Sequence, residues 1–123
     1  MRYTDWIKEN ENGDVRKYIK FCRSNGQQVD LRDADLSGLD LSGVYLTGAI
    51  LCKANLSKAN LSNAYLSGAD LFDANLSGAK INEANLHDAD LSWANLSGAD
   101  LTEAFLLNVD LTGANLSGVI TRA

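Results

Sequence analysis

One property limits what this chain can fold into more than any other: from Val29 to Gly118 it repeats every five residues, eighteen times without a break. The third residue of each pentad is Leu in seventeen cases and Ile81 in the other. The first is Ala in fourteen, with Val29, Leu39, Val44 and Val109 as the exceptions. The second is Asp or Asn in thirteen, the fourth Ser or Thr in twelve, and the fifth Gly in eight. A period of five suits neither ordinary element. An amphipathic helix needs apolar residues at about every 3.6 positions, and a half-buried strand needs them at every second one. Repeated in fives, a Leu wanders around a helix and changes faces along a flat strand.

The pattern is satisfied if the chain turns a corner every five residues. The first and third residues then point inward from one extended stretch, and the polar second residue points out. The small fourth and fifth residues make the corner. Stacked sheets lie roughly 10 Å apart, about the span of three extended residues, so four such sides close a square coil of about twenty residues. The columns agree with that number. Every fourth pentad places Asp35, Asn55, Asn75, Asn95 and Asn115 at the second position, with Ser37, Ser57, Ser77, Ser97 and Ser117 at the fourth. Another side carries Tyr45, Tyr65, Asn85 and Phe105. A triangular coil would mix these columns. The bias in composition follows from the same repeat: Leu, Ala, Asp, Asn and Ser supply 68 of 123 residues. The chain has no proline, as expected where most backbone N–H groups enter ladders between coils.

Pentads such as ADLSG, ANLSK and ANLSG resemble those of the pentapeptide-repeat family, and the resemblance covers 90 of 123 residues. It implies an all-β solenoid, a right-handed quadrilateral β-helix of about 4.5 coils, rising about 4.8 Å per coil into a rod of roughly 22 Å. It implies a core of Leu31 through Leu116 flanked by the Ala column with Val29, Val44 and Val109. The family is abundant in cyanobacteria, and most members have no assigned biochemical activity. Some members bind DNA gyrase and resemble duplex DNA, and some dimerise through their C-terminal ends.

Three segments are expected: an N-terminal helical cap over 1–28, the β-helix over 29–118 and a tail over 119–123. A solenoid needs caps, because its ends expose core and unpaired edges. In the cap, Asp14 is placed to start a helix running to about Ser24. Val15, Tyr18, Ile19 and Cys22 form its apolar stripe, and Asn25-Gly26 supplies a stop. A shorter helix is expected from Thr4 to about Asn10. The cap carries six basic and four acidic residues, and residues 29–123 carry five and twelve, giving +2 against −7. The C-terminal coil, with Leu106, Leu111 and Leu116, should stay partly open. Either Val119 and Ile120 fold over it or a second copy covers it, so a monomer and an end-to-end homodimer are both expected states. The N-terminus lacks the apolar stretch of a secretory signal, which points to the cytoplasm. No apolar run approaches the ~20 residues that span a bilayer.

No catalytic, cofactor or metal site emerges, and an enzyme is the least expected class. His87, the one histidine, sits at an outward fourth position with no orienting acid in its column. Cys22 belongs to the cap interior and Cys52 to a fourth position; the two form neither a disulfide framework nor a zinc spacing. The column of Asp30, Asp70, Asp90 and Asp110 lies along a convex wall and does not converge as calcium ligands must. The acidic balance argues against nucleic acid as a partner. Gyrase-directed DNA mimicry is the alternative reading. Duplex DNA carries one charge per ~1.7 Å, about 13 along a rod of this length. Residues 29–123 hold twelve acids, but these are spread over four sides and offset by five bases.

The leading expectation is a non-enzymatic scaffold that binds an unknown protein partner, because some outward residues break the polar rule. Tyr45, Tyr65 and Phe105 share one column, with Leu107 beside Phe105, and the next side holds Ile50, Phe72 and Trp93. Exposed apolar patches mark binding surfaces, and aromatic residues are enriched among interface hot spots. The competing account is that rings in register only stack, contributing roughly 0.2–1 kcal/mol per pair.

Overall fold

The computed structural model describes residues 1–122; Ala123, the last residue of the expected tail, lies outside them. Two helices precede the repeats, α1 (Tyr3–Glu9) and α2 (Val15–Ser24). From Asp30 onward every second-position residue pairs in parallel with the residue twenty places on, from Asp30↔Ile50 to Asp100↔Ile120. The chain therefore winds as a four-sided coil of twenty residues per turn. The sides are numbered here by their first outward residues: first Asp30, second Asp35, third Asp40, fourth Tyr45.

Backbone donors explain why the repeat has five positions. The third residue's N–H donates to the second residue's carbonyl one coil on, as in Leu31 N to Ile50 O at 2.7 Å. The second residue's N–H donates one coil back, as in Ile50 N to Val29 O at 2.9 Å. The fifth residue's N–H reaches the fourth carbonyl of the next coil, as in Gly38 N to Ser57 O at 2.9 Å. The following first residue closes the turn, as in Ala34 N to Leu31 O at 3.1 Å. Each fifth residue has φ between 57° and 70°, the sign that the third residue of a type II turn requires. Where another coil follows, the fourth N–H is the one that finds no backbone acceptor among the described residues.

The second-position side chain supplies that acceptor. At all thirteen Asp and Asn positions, Oδ1 accepts the N–H of the residue two places on, at 2.9–3.2 Å. At seven of them it also accepts the following Ser or Thr hydroxyl at 2.5–2.8 Å. Polarity alone does not account for this column. Asp and Asn recur because their short side chains carry an oxygen that reaches the N–H two residues on in this Asx turn, which Ser and Thr do only more weakly.

The core is the expected one over most of its length. Central side chains from Leu31 to Leu96 are at most 1% exposed. The expected limits need correction at two places. Leu106 and Leu116 are 36% and 45% exposed, because no further coil covers them. Leu39, the one Leu at a first position, is 39% exposed beside the cap. Val119 and Ile120 do not fold across the open end. Ile120 pairs with Asp100, and Glu103 N donates to Arg122 O at 3.0 Å, so the tail begins another turn of the coil.

The helices meet the first coil through α2. Asp14 caps it by accepting Lys17 N–H at 2.9 Å, and Val15, Tyr18, Ile19 and Cys22 are buried against the coil with Trp6 from α1. The Tyr18 hydroxyl stands where a preceding coil would be. It accepts Asp30 N–H at 3.1 Å and donates to Met1 O at 2.6 Å. Burial pushes this phenol well above the ordinary tyrosine value.

Candidate protein-interaction site

The outward residues of the fourth side form a discontinuous aromatic column. Tyr45 and Tyr65 stack with centroids 4.7 Å apart and planes 12° from parallel. The Arg23 guanidinium, from α2, lies 4.5 Å above the Tyr45 ring, a cation–π geometry. Asn85 interrupts the stack and keeps the Asx turn, accepting His87 N–H at 3.1 Å. Above it, His87 meets the Phe105 ring edge-on at 5.8 Å. Between Tyr65 and Phe105 lies an open groove of about 410 Å³, floored by Asn85 and bordered by Asn63, Glu83 and His87.

The winding, the Asx turns and the left-handed fifth residue all report one repeat, and its sequence pattern can be compared with known families. A family model described as pentapeptide repeats matches in eight copies, over residues 19–51, 30–68, 49–88 and 89–120. The chain belongs to the pentapeptide-repeat family. Among solved structures, it is 40% identical to a pentapeptide repeat protein of the Arabidopsis thaliana thylakoid lumen, with a TM-score of 0.52, covering 72% of this chain and 66% of that one. It is 40% identical to Rfr23 of the cyanobacterium Cyanothece 51142, with a TM-score of 0.42 and coverage of 77% and 62%. It is 30% identical to a pentapeptide repeat protein of Nostoc PCC 7120, with a TM-score of 0.39 and coverage of 85% and 93%. The chain thus spans just under two thirds of the first two proteins' length. No curated protein matches it.

Five pentapeptide repeats lack Asp or Asn at the second position: those of Tyr45, Ile50, Tyr65, Lys80 and Phe105. Among the described residues, the N–H groups of Thr47, Cys52, Ser67 and Asn82 accordingly have no protein acceptor. Leu107 is the exception. Its N–H donates to His87 Nδ1 at 2.9 Å, so the imidazole of the coil below replaces the Asx oxygen that Phe105 lacks. His87 therefore has a structural bond that its lone occurrence in the sequence did not reveal.

Three of the remaining candidates sit at corners. Leu107 is 64% exposed and Phe72 39% exposed, at fourth positions. Phe72 keeps its Asx bond to Asp70 at 3.0 Å. Trp93 is 61% exposed at a fifth position with φ 61°. Its indole lies over Gly113 of the next coil, so closely that a β-carbon there would fall 2.7 Å from the ring. Ile50 is half-buried between Asp30 and Asp70. Among the described residues no ring contact joins Phe72 or Trp93 to the tyrosine column. Cys52 is half-buried and free, and burial raises its thiol above the ordinary value, away from the reactive thiolate.

Proposed function

We propose that this chain is a non-enzymatic scaffold, a right-handed solenoid of about 4.5 coils whose fourth side and adjoining corner bind a protein partner. One observation carries the reading. At Tyr45, Tyr65 and Phe105 the repeat gives up the side chain that secures its own backbone and presents a ring at least 44% exposed instead. An Asx bond contributes about 0.5–1.5 kcal/mol net. The Tyr45–Tyr65 stack returns a comparable ~0.5–1.5 kcal/mol, while Phe105 meets only His87 edge-on and Trp93 lies over Gly113, and both stay more than half exposed. Stability alone therefore gives no reason for rings to replace the Asn that fills the same position on the second side. The second-position aspartates are divided among three sides of the coil, and that dispersion does not favour a DNA-like surface.

Tyr45→Asn with Tyr65→Asn restores the consensus and tests the reading. Thermal melts should move by no more than the equivalent of about 1 kcal/mol, while capture of partners from native-host extract is lost. A clear drop in stability with unchanged capture would show that the rings only stack. The cytoplasm remains the proposed compartment, supported by two free cysteines. Among the described residues no helix is long and apolar enough to cross a membrane. The open end admits a monomer or an end-to-end homodimer, and sedimentation velocity separates the two.

A further inference from the structure

Helix α2 carries Arg16, Lys17, Lys20 and Arg23 and no acid. Arg16, Lys20 and Arg23 recur at helical spacing and line a groove of about 410 Å³ between α2 and the first coil. Its floor is apolar: Ile19 and Val44 are buried, and Tyr45 offers its ring. Arg16 Nη2 is held by the carbonyls of Asp40 and Ser42, both at 3.0 Å, and Arg23 rests on Tyr45. These contacts position the guanidinium groups without neutralising them. Among the described residues the only ion pairs are Arg2–Asp33 and Arg32–Asp30. The Asp40 carboxylate is turned to Ser42, whose N–H and hydroxyl it accepts at 3.1 and 2.7 Å. A chain of sixteen acids and eleven bases thus gathers three cations over an apolar floor; Arg16 lies near enough to Asp40 to help hold its carboxyl low, but among the described residues none of the three forms a salt bridge.

We propose that this groove docks an acidic peptide segment of a partner protein, with one apolar side chain seated on Ile19, Val44 and Tyr45. The inference rests on the interaction reading above and names the end of the column involved and the chemistry of the partner. Charge complementarity sets the sign of the segment. The apolar floor favours a peptide over a nucleic acid, which the acidic repeats beyond the groove would also repel.

The test is selection of displayed random short peptides on the intact chain, followed by affinity measurement on synthesised winners. Winners should combine Asp or Glu with a bulky apolar residue and weaken with added salt. They should lose at least about tenfold in affinity against Lys20→Glu with Arg23→Glu. Both positions are exposed, and the neutral pair Lys20→Gln with Arg23→Gln should show a smaller loss. No enrichment, winners without acids, or equal binding to the charge-reversed variant would overturn the groove. Tighter binding of a single-stranded oligonucleotide would do the same. Winners that ignore Lys20 and Arg23 but fail on Phe105→Asn with Trp93→Ser would overturn the groove and leave the wider interaction face standing.

Discussion

At the scale of single residues, hydrogen bonds explain identities that hydrophobicity leaves open. Tyr18 is fully buried, and its hydroxyl is the acceptor for Asp30 N–H. Tyr18→Phe keeps the ring and orphans that donor, so urea unfolding should show a loss of about 1–3 kcal/mol. Because the folded state holds this phenol neutral, its contribution is complete below the ordinary value of 10.0 and fades as pH rises above it. Alkaline unfolding should therefore be shallower in the Phe variant. The Asx aspartates work in the opposite direction. Hydroxyl and N–H donors from Ser37, Ser42, Thr102 and Thr112 hold Asp35, Asp40, Asp100 and Asp110 below the ordinary carboxylate value of 3.8. Their contribution is present above that value and is lost as pH falls below it. Asn at these four positions keeps the acceptor oxygen without the charge, so an acid titration followed by circular dichroism should show unfolding displaced to lower pH. The thirteen Asx turns were legible in principle, since Asp or Asn stands two residues before the corner residue it serves. Outward polarity alone concealed their role.

At the scale of the repeat, the corner sets the conformational cost. All eighteen fifth residues are left-handed, and only eight are Gly. A side chain in that region costs about 1–2 kcal/mol. Gly48 has open space where a β-carbon would stand, so Gly48→Ala should register that strain alone in a thermal melt. Gly113→Ala adds a collision with Trp93 and should also shift indole fluorescence, which Gly48→Ala leaves unchanged. Conversely, Glu103→Gly should relieve strain and raise the melting temperature. The pentads and their columns were readable because inward positions report the winding directly, whatever lies outside. Asp14 and Asn25-Gly26 likewise mark the ends of α2 in sequence. The basic groove was not readable in the same way. Arg16, Lys20 and Arg23 share a helix face by spacing, but only the docking of α2 on Val44 and Tyr45 turns that face into a concave site.

At the scale of the molecule, one end is satisfied and the other is open. Among the described residues, the N–H groups of Leu106, Asn108, Leu111, Gly113, Leu116 and Gly118 have no acceptor in the chain. Hydrogen exchange should therefore be fastest along this edge and slow in the ladders below it; protection of these six amides at high protein concentration would signal a covering copy. The parallel pairing of each outward residue with the one twenty places on has a different consequence. It separates what holds the rod together from what the rod displays. Deleting one whole pentad between Tyr65 and Phe105 would leave every first and third residue facing inward, yet turn all that follows by a quarter revolution. Phe105 would leave the column of Tyr45 and Tyr65 and join the third side. The repeat acts as a dial: steps of five keep the fold and change the bearing of everything written after them, and only a full coil returns the display to its original heading.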